Sequence, residues 1–263
     1  RTNTNIEIWD QNKKRIFEKP KIEYALRCLN SLIKSIKKVK EQKPDTLIKF
    51  QVIDDNSNDE SLKKLKDLIN SNSIDCEIIH HNNSEHKEKI AAENNQETFG
   101  NLSSLLKCFE IAKKEQSDLI YFVEDDYLHY DHSLVDMLDT YERISSQHKD
   151  EIIICPSDYP FNYMTNEKTN ILIGSQQHWR IITKMLCTFM ISKKMFQKHI
   201  YNFEKTCEKR HDPFEKYLNE ILQKEIAISP IKSLAIHLTN INSSYGLSPF
   251  IDYKKLWDEN KVK

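Results

Sequence analysis

The chain has 263 residues, 38% hydrophobic and 30% charged, with a formal net charge of −1. It can bury a sizeable core, and its balanced charge gives no pull toward nucleic acid. No apolar run reaches 18 residues, no charged-then-apolar leader opens the chain, and the six scattered cysteines form no CxxC pair, so a membrane helix, a signal peptide and a zinc site are not expected.

Glycine is scarce: Gly100, Gly174 and Gly246 only. A phosphate-binding P-loop and a GxGxxG dinucleotide fingerprint need several close glycines, and no GxSxG elbow is present. P-loop NTPases, ordinary NAD-dependent enzymes and α/β-hydrolases are therefore excluded. The cysteines read as reduced thiols of a cytosolic protein.

The polar opening has no strand before it, and a first strand is expected to lie upstream of it. Residues 22–39 predict an amphipathic helix, with Ile22, Leu26, Leu29, Ile33 and Ile36 on one face. Residues 47–53 predict a strand, followed at once by Asp54-Asp55-Asn56-Ser57-Asn58-Asp59. Ser57 or Asn58 suits the cap of the next helix, which carries Leu62, Leu65 and Leu68. Two adjacent aspartates exceed what a cap requires.

A short strand is expected at 76–79 and a solvated loop at 80–96, with its histidines facing water. Leu102, Leu105, Leu106 and Phe109 mark another helix. Residues 119–123 are five apolar residues in a row, read as a strand buried on both faces, and Glu124-Asp125-Asp126 follows directly. Adjacent carboxylates are costly in a core, because they repel and lose hydration. They fit the carboxyl end of a strand, where open α/β sheets bind ligands. Oxygen ligands there suit Mg²⁺ or Mn²⁺ shared with a phosphate. The competing reading is a solvated acidic turn.

Further on, 133–144 predicts a helix and 152–155 a strand closed by Pro156-Ser157-Asp158-Tyr159-Pro160. His178-Trp179-Arg180 follows Gly174, residues 186–191 are strand-like, and Ser192 caps a helix through Met195, Phe196 and His199. His211-Asp212-Pro213 is expected to open another helix, with Pro213 in its first turn. A last strand is expected at 231–238, then a polar tail with Trp257. Alternating helices and strands predict an α/β fold with right-handed crossovers and a mostly parallel sheet.

Together, Asp54-Asp55-Asn56-Ser57, Glu124-Asp125-Asp126 and an aspartate opening a late helix resemble the family 2-like glycosyltransferases of the GT-A fold, over nearly the whole chain. The resemblance implies a three-layer α/β/α sandwich forming one domain over 1–263, with a nucleotide-sugar-binding half (1–126) and an acceptor-binding half (127–263). It implies that Asp54, Asp55 and Ser57 meet the nucleoside. Glu124, Asp125 and Asp126 match the family's DXD motif, with Asp126 on a divalent metal and Glu124 or Asp125 assisting. His237 falls where many members place another metal ligand. Asp212 sits at the catalytic base of inverting members, with Glu215 as the alternative. The family's Pro-x-Tyr-Asn turn is not visible, and its Glu-Asp pair appears here as His211-Asp212.

The chemistry of the residues adds Arg180 as a bidentate phosphate ligand, Trp179 as a platform for a sugar face, His178 beside it, and Asp158 as a hydrogen-bond partner of the acceptor. The expected activity is inverting hexosyl transfer from a UDP-, GDP- or dTDP-linked donor to a carbohydrate or lipid-linked glycan, with Mn²⁺ or Mg²⁺. The family also implies a cytoplasmic place, compatible with the inner membrane face, and a bacterial role in surface polysaccharide assembly. The alternatives are a sugar-nucleotide nucleotidyltransferase, which would want a glycine-rich triphosphate loop, and a non-catalytic carbohydrate-binding module. Donor, acceptor and oligomeric state are not readable.

Overall fold

A computed structural model of the chain describes residues 2–4, 15–90, 96–239, 241–248 and 251–262; part of the opening segment and residues 91–95 of the expected loop lie outside the described residues. The chain begins with helix α1 (Lys21–Gln42), strand β1 (Phe50–Asp54), α2 (Asp59–Ser71) and β2 (Cys76–His80), then α3 (Gln96–Lys114) and β3 (Leu119–Phe122). After these come β4 (Tyr127–His129), α4 (Ser133–His148), β5 (Ile152–Ile154), β6 (Ile171–Ile173), β7 (His178–Ile181) and β8 (Phe189–Ser192). The remainder is α5 (Lys193–Lys198), α6 (Ile200–Thr206), α7 (Lys216–Leu222), β9 (Ile226–Pro230), β10 (Ala235–His237) and α8 (Tyr253–Glu259).

The fold is mixed α/β. One sheet runs β3-β8-β5-β9-β7-β6, and β1-β2 and β4-β10 form two-stranded sheets. Only β1·β2 and β5·β9 pair in parallel; β3·β8, β5·β8, β7·β9, β6·β7 and β4·β10 are antiparallel. The expectation of a mostly parallel sheet is therefore corrected. β8 and β7 follow one another without a helix between them, and each returns antiparallel to its neighbours. β3, β5 and β9 still point the same way, so their carboxyl ends share one edge of the sheet.

The pleat divides the core. Ile153, Phe122, Phe189 and Ile191 face α3, α5, α6 and α7. Ile152, Ile154, Met190 and Ile228 face α1, α2 and α4. Alternate side chains of a strand point to opposite faces, so helices cover both faces of the sheet. A smaller cluster joins Tyr24 and Cys28 of α1 to Leu128, Ile236, Leu256 and Trp257. The supposed polar tail is thus a docked helix, α8. Arg27 donates to the Trp257 carbonyl at 2.5 Å and lies over the Trp257 ring at 4.3 Å.

The loop after β2 is also corrected. His81 and His86 are buried, and both meet the Ser103 hydroxyl, at 2.8 and 2.9 Å. Burial above all pushes the His81 pKa down to about 4, and burial does the same to His129, against a pull upward from the Tyr127 carbonyl. The His129 Nδ1 faces that carbonyl and its Nε2 faces the Tyr121 hydroxyl, as a neutral ring requires. Between pH 6.5 and 4 the unfolded chain binds more protons at these two residues than the folded one. Stability should be full above pH 6.5 and drain as pH falls toward 4, by up to roughly 3 kcal/mol for each histidine. Denaturant midpoints across that range should show the slope, and His129→Gln should roughly halve it, leaving the His81 part.

Trp179 is fully buried between α4 and the sheet. A Cβ on Gly174 would lie 2.2 Å from its Nε1 and 2.9 Å from the Thr140 hydroxyl. Gly174→Ala should therefore overpack the site and cost about 1–3 kcal/mol, read as a lowered denaturant midpoint.

Candidate nucleotide-and-metal site

β1 delivers Asp54 and Asp55 at its carboxyl end, and both are buried. Neither is the helix cap. Asn58 caps α2 by accepting from Ser61 N at 2.9 Å, which leaves the aspartates for another task. Asp54 Oδ2 accepts from Ser57 N at 3.3 Å, and its Oδ1 has no hydrogen-bond partner among the described residues. Asn56 holds a left-handed φ of 57°, which asparagine tolerates better than most residues. Asp55 collects amide donors: Asn83 at 2.7 Å and Asn56 at 3.2 Å on Oδ1, and Asn3 at 3.3 Å on Oδ2. α3 passes close by, because a Cβ on Gly100 would stand 3.2 Å from Asp55 Oδ2. The Ser57 hydroxyl accepts from Thr4 N at 3.0 Å.

β3 delivers the second acidic group. Asp125 Oδ1 pairs with Lys21 Nζ at 2.5 Å, and Oδ2 accepts from the Thr2 hydroxyl at 3.1 Å and from Asn3 N at 3.3 Å. Burial disfavours the Lys21 ammonium, but Asp125 and Asp126 outweigh it and raise the Lys21 pKa. Asn3 therefore bonds to Asp55 through its side chain and to Asp125 through its backbone. One residue ties the acidic ends of β1 and β3 together. Glu124 N donates to the Thr188 hydroxyl at 3.1 Å at the start of β8.

Asp126 lies beside the antiparallel β4–β10 pair. Its Oδ2 is 3.4 Å from His237 Nε2. His237 Nδ1 is 3.0 Å from the Tyr245 carbonyl, which can only accept, so Nδ1 carries a proton and Nε2 faces Asp126. The ring stacks on Tyr127 at 4.8 Å. Burial works against a charged His237, but Asp126, with Glu124 nearby, outweighs it and raises the pKa.

Other expected residues sit elsewhere. Asp158 is buried after β5; its Oδ2 accepts from the Tyr163 hydroxyl at 2.5 Å, and its Oδ1 is 3.7 Å from Arg180. Burial lifts the Asp158 pKa against the pull of Tyr163 and Arg180. Arg180 donates to the Tyr163 hydroxyl at 2.5 Å and lies over its ring at 4.3 Å. Arg180 is thus built into an Asp158–Tyr163–Arg180 cluster. His178 is exposed on β7. Trp179 presents no face to a sugar, because the core encloses it. Its neighbour Tyr163, half exposed and near Asp158, is the aromatic on offer there.

The late helix is displaced too. Asp212 is exposed, the Asp212–Pro213 peptide is cis, and α7 begins only at Lys216. The first four-residue hydrogen bond runs from Asn219 N to Glu215 O, so Asp212 lies outside the first helical turn, where free amides favour a carboxylate's charge. Glu215 is half-buried at the cap position just before α7. Burial pushes the Tyr245 pKa up to about 12, with Glu215 and Glu167 adding to it, and the Tyr245 carbonyl holds His237.

Sequence reasoning missed Thr2, Asn3, Lys21, Tyr163 and Tyr245. Their roles come from contacts between distant segments, and no local pattern marks them. Among the described residues no group of three or more His, Cys, Asp or Glu side chains is placed to cage a metal. Asp126 and His237 offer one carboxylate oxygen and one imidazole nitrogen. That partial set fits a hard or borderline divalent ion that takes its other ligands from phosphate and water. No helix is long and apolar enough to cross a membrane among the described residues. No protein-family model matches the sequence, and no curated protein matches it.

Proposed function

We propose that the chain is a glycosyltransferase of GT-A type that transfers a sugar from a nucleoside-diphosphate donor to a carbohydrate or lipid-linked glycan, with inversion. The observation that carries this reading is Asn3, which joins Asp55 to Asp125 and so sets a nucleoside-type acidic turn beside a diphosphate-type one. Asp55, with Asn83 and Asn3, offers a hydrogen-bonding edge for a base or ribose. Asp126 and His237 Nε2 would hold Mn²⁺ or Mg²⁺, which when bound neutralises the leaving diphosphate. Glu215, or Asp212, takes the proton from the acceptor hydroxyl as its oxygen bonds to the anomeric carbon. The bond from that carbon to the diphosphate oxygen breaks on the opposite side, and the nucleoside diphosphate leaves. Asp158, Tyr163 and His178 form the polar and aromatic group offered to the acceptor, with Arg180 holding Asp158 and Tyr163 in place.

Calorimetric titration with UDP, GDP and dTDP, with and without Mn²⁺, tests the reading. Asp55→Ala should weaken both the nucleoside alone and the diphosphate by roughly tenfold, about one lost hydrogen bond to a charged group. Asn58→Ala should lower stability by about 1 kcal/mol and leave binding unchanged, because it removes only the cap. If none of the three nucleotides binds, the reading fails.

A further inference from the structure

Three buried acceptor atoms near the ends of β1 and β2 have no donor among the described residues: Asp54 Oδ1, His81 Nδ1 and Asn83 Oδ1. Asp54 is 1% exposed and His81 3%, so these lone pairs are sealed from bulk water at a cost in free energy. β1 and β2 are parallel neighbours with Asp54 opposite His80. His81 N donates to the Asp54 carbonyl at 2.8 Å, and Asn83 Nδ2 reaches Asp55 at 2.7 Å. The three residues therefore stand on adjoining strand ends, around the paired aspartates.

Each is fixed as an acceptor. Asp54 Oδ1 belongs to a carboxylate. Asn83 turns its NH2 to the Asp55 carboxylate, which leaves its oxygen over. For His81 the partners run in one direction. Glu110 accepts from His86 Nε2 at 3.1 Å, so His86 presents a lone pair at Nδ1. Ser103 gives its hydrogen to that nitrogen at 2.9 Å and accepts from His81 Nε2 at 2.8 Å. Burial above all lowers the His81 pKa to about 4, so the ring is neutral near pH 7 and keeps a lone pair at Nδ1. α3 braces both parts: Gly100 lies against Asp55 and Asn83, and Ser103, one turn on, holds the two histidines. We propose that these acceptors read a guanine base, so that the sugar donor is a guanosine-diphosphate sugar. Guanine sets an imino N–H directly beside an amino group on one edge, with no acceptor between them. Uracil and thymine flank their N–H with a carbonyl oxygen on either side, and adenine and cytosine place a bare ring nitrogen beside their amino group. With those bases an acceptor of the ligand would meet an acceptor of the protein and leave both unpaired. A site built to hydrogen-bond its ligand rejects an analogue without the donor far more strongly than an apolar pocket does. The inference rests on the glycosyltransferase reading, and its test separates the two.

Calorimetric titration of the full chain compares GDP, inosine diphosphate, UDP, dTDP and ADP with Mn²⁺ present, and guanosine against uridine without metal. GDP should bind at least about 100-fold tighter than UDP, dTDP or ADP, and guanosine tighter than uridine. Inosine diphosphate lacks only the amino group of guanine and should lose roughly tenfold against GDP, about one hydrogen bond to a charged group. Asp54→Asn should weaken GDP by roughly tenfold and leave UDP unchanged, a shift in the ratio that a merely structural role would not produce. The inosine comparison needs no variant, so it decides even where Asp54→Asn folds poorly. UDP or dTDP bound as tightly as GDP, or inosine diphosphate matching GDP, overturns the guanine assignment while the glycosyltransferase reading stands. The expected preference for GDP, with GDP-linked sugars left intact in the presence of Mn²⁺, upholds the base and overturns the transferase. Binding of none of the nucleotides or nucleosides overturns both.

Discussion

Asp126→Asn is expected to remove metal-dependent nucleotide binding while leaving the fold intact. The residue is only half-buried and pairs with His237, so the substitution leaves no strongly buried charge behind. Losing a group that merely orients a ligand commonly costs 10- to 100-fold in metal affinity, so losing the ligand should cost at least about 100-fold. Binding of the nucleoside without its phosphates should stay normal, which separates this variant from Asp55→Ala. His237→Gln should weaken the metal less, because the carboxylate remains. The pH dependence follows from the same pair. Asp126 raises the His237 pKa against burial, so a proton competes with the metal at Nε2. Mn²⁺ affinity should climb as pH rises through that pKa, which lies above 6.5, and His237→Gln should flatten the climb. Unchanged metal dependence in Asp126→Asn would remove the residue from the site.

The second large effect concerns the base. Glu215→Gln should keep donor affinity and lose roughly 10²-fold or more in turnover, the scale of general-base catalysis. Asp212→Asn is the paired measurement. The two carboxylates differ in their surroundings: Glu215 is half-buried at the start of α7, where it adds to the raised Tyr245 pKa, whereas Asp212 is exposed in the turn before α7. On that geometry the larger loss falls on Glu215. A collapse in Asp212→Asn with near-normal turnover in Glu215→Gln would return the role to Asp212. Tyr245→Phe makes a further comparison. It keeps the carbonyl that orients His237 and removes only the hydroxyl, so donor binding should be untouched.

The long helices were readable because several turns of apolar spacing outweigh local noise. α1, α2, α3 and α4 lie close to where their periodicity put them. The misses are short. β4 and β6 have three residues each, β7 four and β9 five, too few for any alternation to register, whereas β10 lies inside the last strand expected at 231–238. Strand direction was misjudged for a different reason. Antiparallel β8 sits between β3 and β5, a placement made by long-range pairing and invisible in the local pattern. The acidic strand ends were legible because paired carboxylates after an apolar run have few uses in a core. What they bind to was not: Lys21 reaches Asp125 across 104 residues and Asn3 across 122. Trp179 was misjudged because a core indole and a sugar-stacking one look alike in sequence. Its nearest sign is Gly174, five residues earlier, where a Cβ would strike the ring.

The most direct measurement of the central claim is release of nucleoside diphosphate from a panel of UDP-, GDP- and dTDP-linked sugars, followed by ³¹P NMR with and without Mn²⁺. Without an acceptor, water can take the acceptor's place slowly, so the acceptor's identity is not needed. The account predicts release from at least one donor, dependent on the metal, abolished in Asp126→Asn and lowered roughly 10²-fold in the base variant. Release of inorganic pyrophosphate from a nucleoside triphosphate and a sugar phosphate, with every nucleotide sugar left intact, would contradict it and point to nucleotidyl transfer instead.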